Sequence, residues 1–132
     1  MTDYNDRKNK RILLVDDAQD VLYTIKKVLE NNGFVVESYD DPNLALSNFK
    51  IGLYDLLLLD IRMPKMNGFE LYQKIREIDS NVKICFLTAS ELFYEEYRRL
   101  DSYPRLNKER YIQKPIRSEE LIRQISEVLY SH

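Results

Sequence analysis

The sequence predicts an α/β fold in which a parallel β-sheet is covered by helices on both faces. Five short apolar runs alternate with longer segments whose apolar residues recur at helical spacing. No internal repeat or low-complexity stretch interrupts this alternation. Strands that are joined by helices run parallel, and 132 residues suit one compact domain, so the pattern indicates a single layered domain.

The predicted strands are runs rich in aliphatic and β-branched residues. The run Leu56–Leu59 is apolar throughout, as expected for a strand whose two faces are both covered. The single cysteine, Cys85, lies inside another such run, and we expect it to pack in the core. The five predicted strands cover Ile12–Val15, Phe34–Tyr39, Leu56–Leu59, Val82–Leu87 and Arg110–Gln113.

The first two predicted helices are defined by their spacing and their ends. Apolar residues share one helical face over Val21–Leu29, and the turn at Asn31–Gly33 ends that helix with its glycine in the left-handed conformation. The second helix begins with Asp41 as its cap and Pro42 at its first position, and Gly52 follows its end.

Three further helices are predicted, over Phe69–Ile78, over Leu92–Leu100 and from Ser118 onward. Ser118 is predicted to cap the last helix, and Glu119 and Glu120 stand in its positively polarised first turn. In the helix over Phe69–Ile78, the residues predicted to face the core are Leu71, Tyr72, Ile75 and Ile78. In the last helix they are Leu121, Ile122, Ile125, Val128 and Leu129.

Composition and charge exclude several classes of protein. The 20 Lys and Arg residues nearly balance the 22 Asp and Glu residues, so no field of one sign suggests direct binding to nucleic acid or membrane. The polar start of the chain is not a secretory signal, and the longest fully apolar run is too short to span a bilayer. We therefore expect a cytoplasmic protein with a flexible lead-in over residues 1–10 and a single domain over residues 11–132, with no output domain.

Polar side chains follow four of the predicted strands at the points where these strands end. Asp16 and Asp17 follow the first strand, Asp60 the third, Thr88 the fourth and Lys114 the fifth. Taken singly, each is more often a helix cap, a turn residue or a solvated side chain. Together they should meet, because parallel strands share one carboxyl edge.

Three neighbouring carboxylates repel one another, and their pKa values rise unless a cation joins them. Mg²⁺ prefers such hard oxygen ligands, and it is commonly held by one or two carboxylates and a phosphate. A lysine adds a compact positive charge that suits a phosphoryl oxygen. The sequence therefore predicts a magnesium-dependent phosphate site at this edge.

The segments that carry these residues resemble the receiver domains of response regulators, over roughly Arg11–Leu129. The pattern Asp-x-x-Met-Pro-x-x-x-Gly over Asp60–Gly68 is the most diagnostic piece. The resemblance implies a flavodoxin-like, doubly wound five-stranded sheet of order 2-1-3-4-5. It also implies a phosphorylation-dependent switch in two-component phosphorelay signalling, fed by a histidine kinase or a phosphotransfer protein. The other matching segments are Ile12–Asp17, Leu87–Ala89 and Tyr111–Pro115.

The resemblance assigns a role to each acidic residue of the site. Asp60 is the implied phosphoacceptor. Asp17 and Asp60 would bind Mg²⁺ directly, and Asp16 would act largely through water. The main-chain carbonyl of Arg62 would be a further ligand.

The resemblance also implies that the protein is not an enzyme beyond catalysing its own phosphorylation and slow dephosphorylation.

The remaining implied roles concern the phosphoryl group and the switch. Thr88 and Lys114 would contact the phosphoryl oxygens, and Tyr111 would be the aromatic residue whose rotamer reports the switch. The surface made by the predicted Leu92–Leu100 helix and the fifth strand would then dock partners. The Lys114–Pro115 peptide bond is implied to be cis.

Two residues are predicted to tune the lifetime of the phosphorylated form. Arg62, two residues after Asp60, is long and cationic and could cover the phosphoryl group, whereas Ser90, two residues after Thr88, leaves room for water. We expect Arg62 to dominate and dephosphorylation to be slow.

One segment departs from the family pattern. Residues Asp101–Arg110 lack the small-residue and glycine turn that normally precedes the fifth strand. The segment leads into the surface that would dock partners, so this departure bears on the choice of docking partner.

Three other functions compete with a phosphorylation switch. An aspartate-nucleophile phosphohydrolase needs a second acid two residues after the nucleophile, where this chain has Arg62. A dinucleotide-binding domain needs a glycine-rich first turn, and no glycine follows the first strand closely. A degenerate receiver that only docks partners would not need the complete set of acids, hydroxyl and lysine.

Overall fold

Five parallel strands form one sheet in the computed structural model, which describes residues 8–89 and 110–131. Their order across the sheet is β2-β1-β3-β4-β5, as the resemblance implied. The strand order reverses at β1, because β2 lies on one side of it and β3, β4 and β5 lie on the other. This reversal of strand order makes the fold doubly wound. The strands are β1 Arg11–Val15, β2 Val35–Tyr39, β3 Leu56–Asp60, β4 Lys83–Thr88 and β5 Tyr111–Gln113.

Four helices connect or follow these strands within the described residues. They are α1 Gln19–Asn31, α2 Pro42–Ser47, α3 Gly68–Ile78 and α4 Ser118–Leu129. The predicted helix over Leu92–Leu100 and most of the segment Asp101–Arg110 lie outside the described residues, as do Ser90 and residues 1–7. Among the described helices, none has the length and apolar character needed to cross a bilayer.

The helix ends follow local chemistry, with one correction. Gly33 has φ 96° after α1, and the Asp41 side chain accepts a hydrogen bond from the Asn43 amide at the start of α2, as predicted. Ser118 does not cap α4. The helix already includes Ser118 as its first residue, so Arg117 occupies the cap position and no side chain caps it there.

The sheet is buried on both faces because side chains along each strand alternate between two apolar layers. Leu57 and Leu59 pack on the side of α2 and α3, whereas Leu56 and Leu58 pack on the side of α1 and α4. Cys85 lies fully buried in the second layer, as predicted.

The prediction for Ile78 was wrong, because this residue is 46% exposed. It has the helical spacing of Leu71 and Ile75, but it is the last residue of α3. The buried stripe of this helix therefore ends one turn earlier, at Ile75.

Candidate functional site

The predicted acidic, hydroxyl and lysine residues meet at the carboxyl edge of the sheet. Asp60 and Thr88 are the last residues of β3 and β4, and Asp16 and Asp17 directly follow β1. Carboxylate oxygens of Asp16, Asp17 and Asp60 lie within 4.8 Å of one another. Lys114 follows β5 and reaches the same place.

Lys114 bridges two of the three acids. Its Nζ donates to Oδ2 of Asp16 at 3.0 Å and to Oδ1 of Asp60 at 3.3 Å. Its backbone amide donates to the Thr88 carbonyl at 2.7 Å, which fixes the segment after β5 against the end of β4. The Lys114–Pro115 bond is cis, as predicted.

Asp16 and Asp17 differ in burial although they are adjacent. Asp16 is fully buried, with one carboxylate oxygen accepting from the Ala18 amide at 3.0 Å and the other from Lys114. Asp17 is exposed at the rim. Asp16 is therefore held by the protein on both oxygens, whereas the Asp17 carboxylate is open to solvent.

The Asp60 carboxylate is buried beside two other acids, and Lys114 offsets this setting only in part. Burial raises the pKa of Asp60 to about 7, and the Asp16 carboxylate adds to the rise, while Lys114 opposes it. Burial acts to lower the pKa of Lys114, but Asp60 and Asp16 outweigh it, so its pKa is raised and the ammonium stays charged.

This donor set fits a hard divalent cation. The residues offer three carboxylates against one ammonium, so Lys114 alone does not balance their charge. Mg²⁺ prefers carboxylate and carbonyl oxygens, which are the atoms available here. A bound cation would offset both the burial of the Asp60 charge and the repulsion from Asp16, which together raise the pKa of Asp60.

Tyr111 lies in an aromatic cluster on the α3 side of the sheet. Its ring stacks on Phe86 with centroids 5.6 Å apart, and it meets Phe69 edge-on at 6.5 Å. Phe86 lies two residues before Thr88 on β4, and Phe69 is the second residue of α3. Tyr111 is therefore packed against β4, the strand that carries Thr88, and against the start of α3.

The loop after Asp60 turns sharply before α3 begins. Lys65 has φ 73°, and the Met66 amide donates to the Pro64 carbonyl at 2.8 Å. Arg62 in this loop is exposed. Sequence reasoning missed the reciprocal cap formed by Asn67 and Glu70 at the start of α3, although the spacing Asn-x-x-Glu signals it.

Sequence reasoning also missed a cavity of about 490 Å³ beside Lys114. Val21 and Ile25 of α1 line it, and their spacing alone does not distinguish a cavity wall from core. Its lining also includes Thr24, Pro115 and Ile116.

Residues 12–126 match the family model described as the response regulator receiver domain, and the chain belongs to this family. Its members are phosphorylation-dependent signalling switches rather than classical enzymes. They take phosphate from histidine kinases and bind Mg²⁺ at an acidic pocket.

Particular relatives place the chain within this family. The transcriptional regulatory protein DltR of Streptococcus agalactiae is 35% identical over 115 residues, which cover 87% of this chain and 50% of the relative. The chain thus spans about half the length of curated relatives such as this one.

Two solved structures share the fold over nearly the whole chain. The non-phosphorylated HemR receiver domain of Leptospira biflexa has a TM-score of 0.77 at 28% identity, covering 94% of this chain and 97% of the other. The receiver domain of the sensor histidine kinase PA1611 of Pseudomonas aeruginosa has a TM-score of 0.75 at 27% identity, covering 93% and 99%. That structure is described with a magnesium ion coordinated in its active-site cleft.

Proposed function

We propose that this chain is the switch of a two-component phosphorelay, in which Asp60 accepts a phosphoryl group from a histidine kinase or phosphotransfer protein. One observation carries the proposal: Asp60 ends the central strand β3 with its carboxylate beside two further acids and in contact with the Lys114 ammonium. The proposal includes a cytoplasmic location. It also includes no catalysis beyond the chain's own phosphorylation and slow dephosphorylation.

In the proposed transfer, a carboxylate oxygen of Asp60 attacks the phosphorus of a phosphohistidine. The new oxygen–phosphorus bond forms as the phosphorus–nitrogen bond breaks, and that electron pair remains on the histidine nitrogen. The Lys114 ammonium neutralises the charge of the phosphoryl oxygens, and the Thr88 hydroxyl binds one of them. Because Lys114 already contacts Asp60 at 3.3 Å, a small movement of its ammonium reaches the incoming group.

The proposed Mg²⁺ ligands are the carboxylates of Asp17 and Asp60 and the main-chain carbonyl of Arg62. Asp16 would contribute through a water molecule, which agrees with its two oxygens being engaged by Ala18 and Lys114. Bound Mg²⁺ would supply the positive charge that the three carboxylates and a phosphoryl group require together.

The proposed output starts when the phosphoryl group draws the Thr88 hydroxyl toward Asp60. Thr88 lies at the end of β4 and pairs with Gln113 of β5. A shift there would change the packing of Tyr111 and bias the protein between two arrangements. The docking surface would comprise β5 and the predicted helix over Leu92–Leu100.

The proposed site of contact with the phosphodonor is the cavity between α1 and the segment after β5. Lys114 both lines this cavity and contacts Asp60. Apolar side chains of a protein phosphodonor that enter it would therefore lie beside the reacting carboxylate. Val21, Ile25 and Ile116 supply an apolar wall for that contact.

Intact-mass measurement after exposure to acetyl phosphate tests the phosphoacceptor. The wild-type chain should gain one phosphate in the presence of Mg²⁺ and much less in EDTA, and Asp60→Asn should gain none. Asp55→Asn is the matched control, because Asp55 precedes the same strand at its opposite end. Equal labelling of Asp60→Asn would refute the assignment, and an unlabelled wild-type chain would favour a docking module that needs no phosphoryl group.

A further inference from the structure

Gly68, the first residue of α3, lies directly against the backbone of Asp60. A β-carbon added to Gly68 would stand 2.3 Å from the carbonyl oxygen of Asp60 and 3.1 Å from the Cα of Ile61. Carbon and oxygen atoms that are not bonded to each other do not approach so closely. Because both of the crowded atoms belong to the backbone, no side-chain rotation could relieve the overlap.

The α3 side of this contact is firmly held. The Gly68 amide donates to the Ile61 carbonyl at 2.9 Å. Asn67 Oδ1 accepts from the Glu70 amide at 2.9 Å, and Glu70 Oε1 accepts from the Asn67 amide at 3.0 Å. Phe69 is fully buried, so the helix start cannot withdraw without opening the core.

The β3 side is held by the sheet. Asp60 pairs with Leu87 of β4, and the Ile61 amide donates to the Leu87 carbonyl at 3.1 Å. Two fixed pieces of backbone therefore meet at Gly68, and a side chain there would displace the backbone of Asp60, the start of α3 or both.

We propose that Gly68 is a positioning residue for the phosphoacceptor, an inference that rests on the function proposed above. Its missing side chain lets α3 rest on the Asp60 carbonyl and so fixes the distance from the Asp60 carboxylate to Lys114 and to the acid pair. The Lys114–Asp60 contact is 3.3 Å, at the long end for a hydrogen bond, so a shift of a few tenths of an ångström would break it. Misplacing a reacting group by about 1 Å can slow a reaction about a hundredfold.

Gly52 provides a matched control for the same substitution. It has φ 75°, so alanine would be strained there, but an added β-carbon would meet nothing within 4 Å. It also precedes β3 at the end of the strand opposite to Asp60. Gly52→Ala should therefore destabilise the fold without moving the phosphoacceptor.

The test compares the wild-type chain, Gly68→Ala and Gly52→Ala by the rate of Asp60 phosphorylation per folded molecule, at saturating Mg²⁺ and varied acetyl phosphate. Gly68→Ala should lower the maximal rate by about tenfold or more. The acetyl phosphate concentration for half-maximal rate should change by less than about twofold, because a positioning residue does not touch the donor. Backbone amide resonances of Asp60 and Ile61 should shift in Gly68→Ala and stay in place in Gly52→Ala.

A folded Gly68→Ala protein with the wild-type maximal rate would overturn the inference, as would an equal loss of rate in Gly52→Ala. If Gly68→Ala does not fold, Asn67→Ala decides, because it loosens the start of α3 without adding bulk. It should slow phosphorylation about threefold, and an unchanged rate would overturn the inference. Failure of the wild-type chain to take up phosphate would instead refute the proposed function, and the inference with it.

Discussion

Among single residues, Asp60 combines a buried carboxylate with two neighbouring acids and one lysine. Its type and its place in the chain are visible in the sequence, but its pKa depends on distances that only the fold sets. Burial and the Asp16 charge raise this pKa to about 7 in the absence of a cation. The same setting that prepares Asp60 for a metal and a phosphoryl group therefore destabilises the metal-free protein at neutral pH.

The destabilisation by Asp60 should appear in the pH dependence of the free energy of unfolding. The folded-state pKa of Asp60 lies above the value of about 4 expected in the unfolded chain. Its contribution to the free energy of unfolding is therefore fully present below about pH 4 and is lost as the pH rises through 7. In metal-free buffer at pH 8, Asp60→Asn should be more stable than wild type by up to about 4 kcal/mol, because each pKa unit between about 4 and about 7 corresponds to about 1.4 kcal/mol.

Urea unfolding at pH 4.5 and pH 8, in EDTA, measures this difference. The advantage of Asp60→Asn should shrink toward the lower pH. An Asp60→Asn protein less stable than wild type at pH 8 would contradict the pKa argument.

Arg62 is the second residue whose substitution gives a distinct outcome. It is exposed in the loop after Asp60, two residues from the proposed phosphoacceptor. If its guanidinium covers the phosphoryl group, Arg62→Ala should shorten the half-life of the phosphorylated form severalfold. Decay of the phosphorylated species, followed by intact mass after removal of the donor, provides the measurement.

Arg62→Lys is the matched variant for this prediction, because it keeps the positive charge and loses the two-pronged donor. Its half-life should fall between those of wild type and Arg62→Ala. Identical decay in all three proteins would mean that Arg62 has no influence on the lifetime.

At the scale of elements, α4 is held at its end by a lysine from a different part of the chain. Lys83, the first residue of β4, donates from Nζ to the carbonyls of Leu129 and Ser131 at 2.7 and 2.8 Å. The last turn of α4 contains no basic residue of its own, so Lys83 supplies the positive charge that a helix C-terminus favours. The sequence hides this contact, because the partners are 46 and 48 positions apart.

Lys83→Met should free the end of α4 while keeping most of the side-chain volume. The expected cost is about 1–2 kcal/mol in the free energy of unfolding, with faster amide exchange over Val128–Ser131. Chemical unfolding and hydrogen exchange measure the two effects. Lys74→Met, at an exposed lysine of α3, is the control and should change neither.

At the scale of the whole molecule, the meeting of the acids at one edge followed from the apolar pattern, whereas the sheet order followed from the resemblance to receiver domains. Apolar runs such as Leu56–Leu59 identify strands, and parallel strands necessarily bring Asp16, Asp60 and Thr88 to one side. The exposure of Ile78 and the position of Ser118 inside α4 were not predictable, because helix ends depend on packing that spacing does not encode.

Mg²⁺ should raise the global stability of the chain, because the proposed ion site is assembled only in the folded state. At a concentration 100 times Kd the expected gain is about 2.7 kcal/mol. Asp17→Asn should abolish most of this gain, because it removes a carboxylate that is proposed to bind the ion directly. Lys114→Ala should retain or increase the stability gained from Mg²⁺, since the Lys114 ammonium contacts Asp16 and Asp60 and so competes with the cation for them.

Thermal unfolding during Mg²⁺ titration measures the gain, with Asp55→Asn as a control that should match wild type. A larger loss of the Mg²⁺ effect in Lys114→Ala than in Asp17→Asn would reverse the assigned roles.

The burial of Cys85 gives the chain a natural reporter of sheet opening. Cys85 lies fully buried on β4, between β3 and β5, and burial raises its thiol pKa to about 12. A thiol reagent can modify this sulfur only in molecules whose sheet has opened, and the chain offers the reagent no second thiol. The rate of Cys85 modification in native buffer therefore reports how often the sheet opens. The effect of a variant or of a cation on this opening can be measured without denaturant.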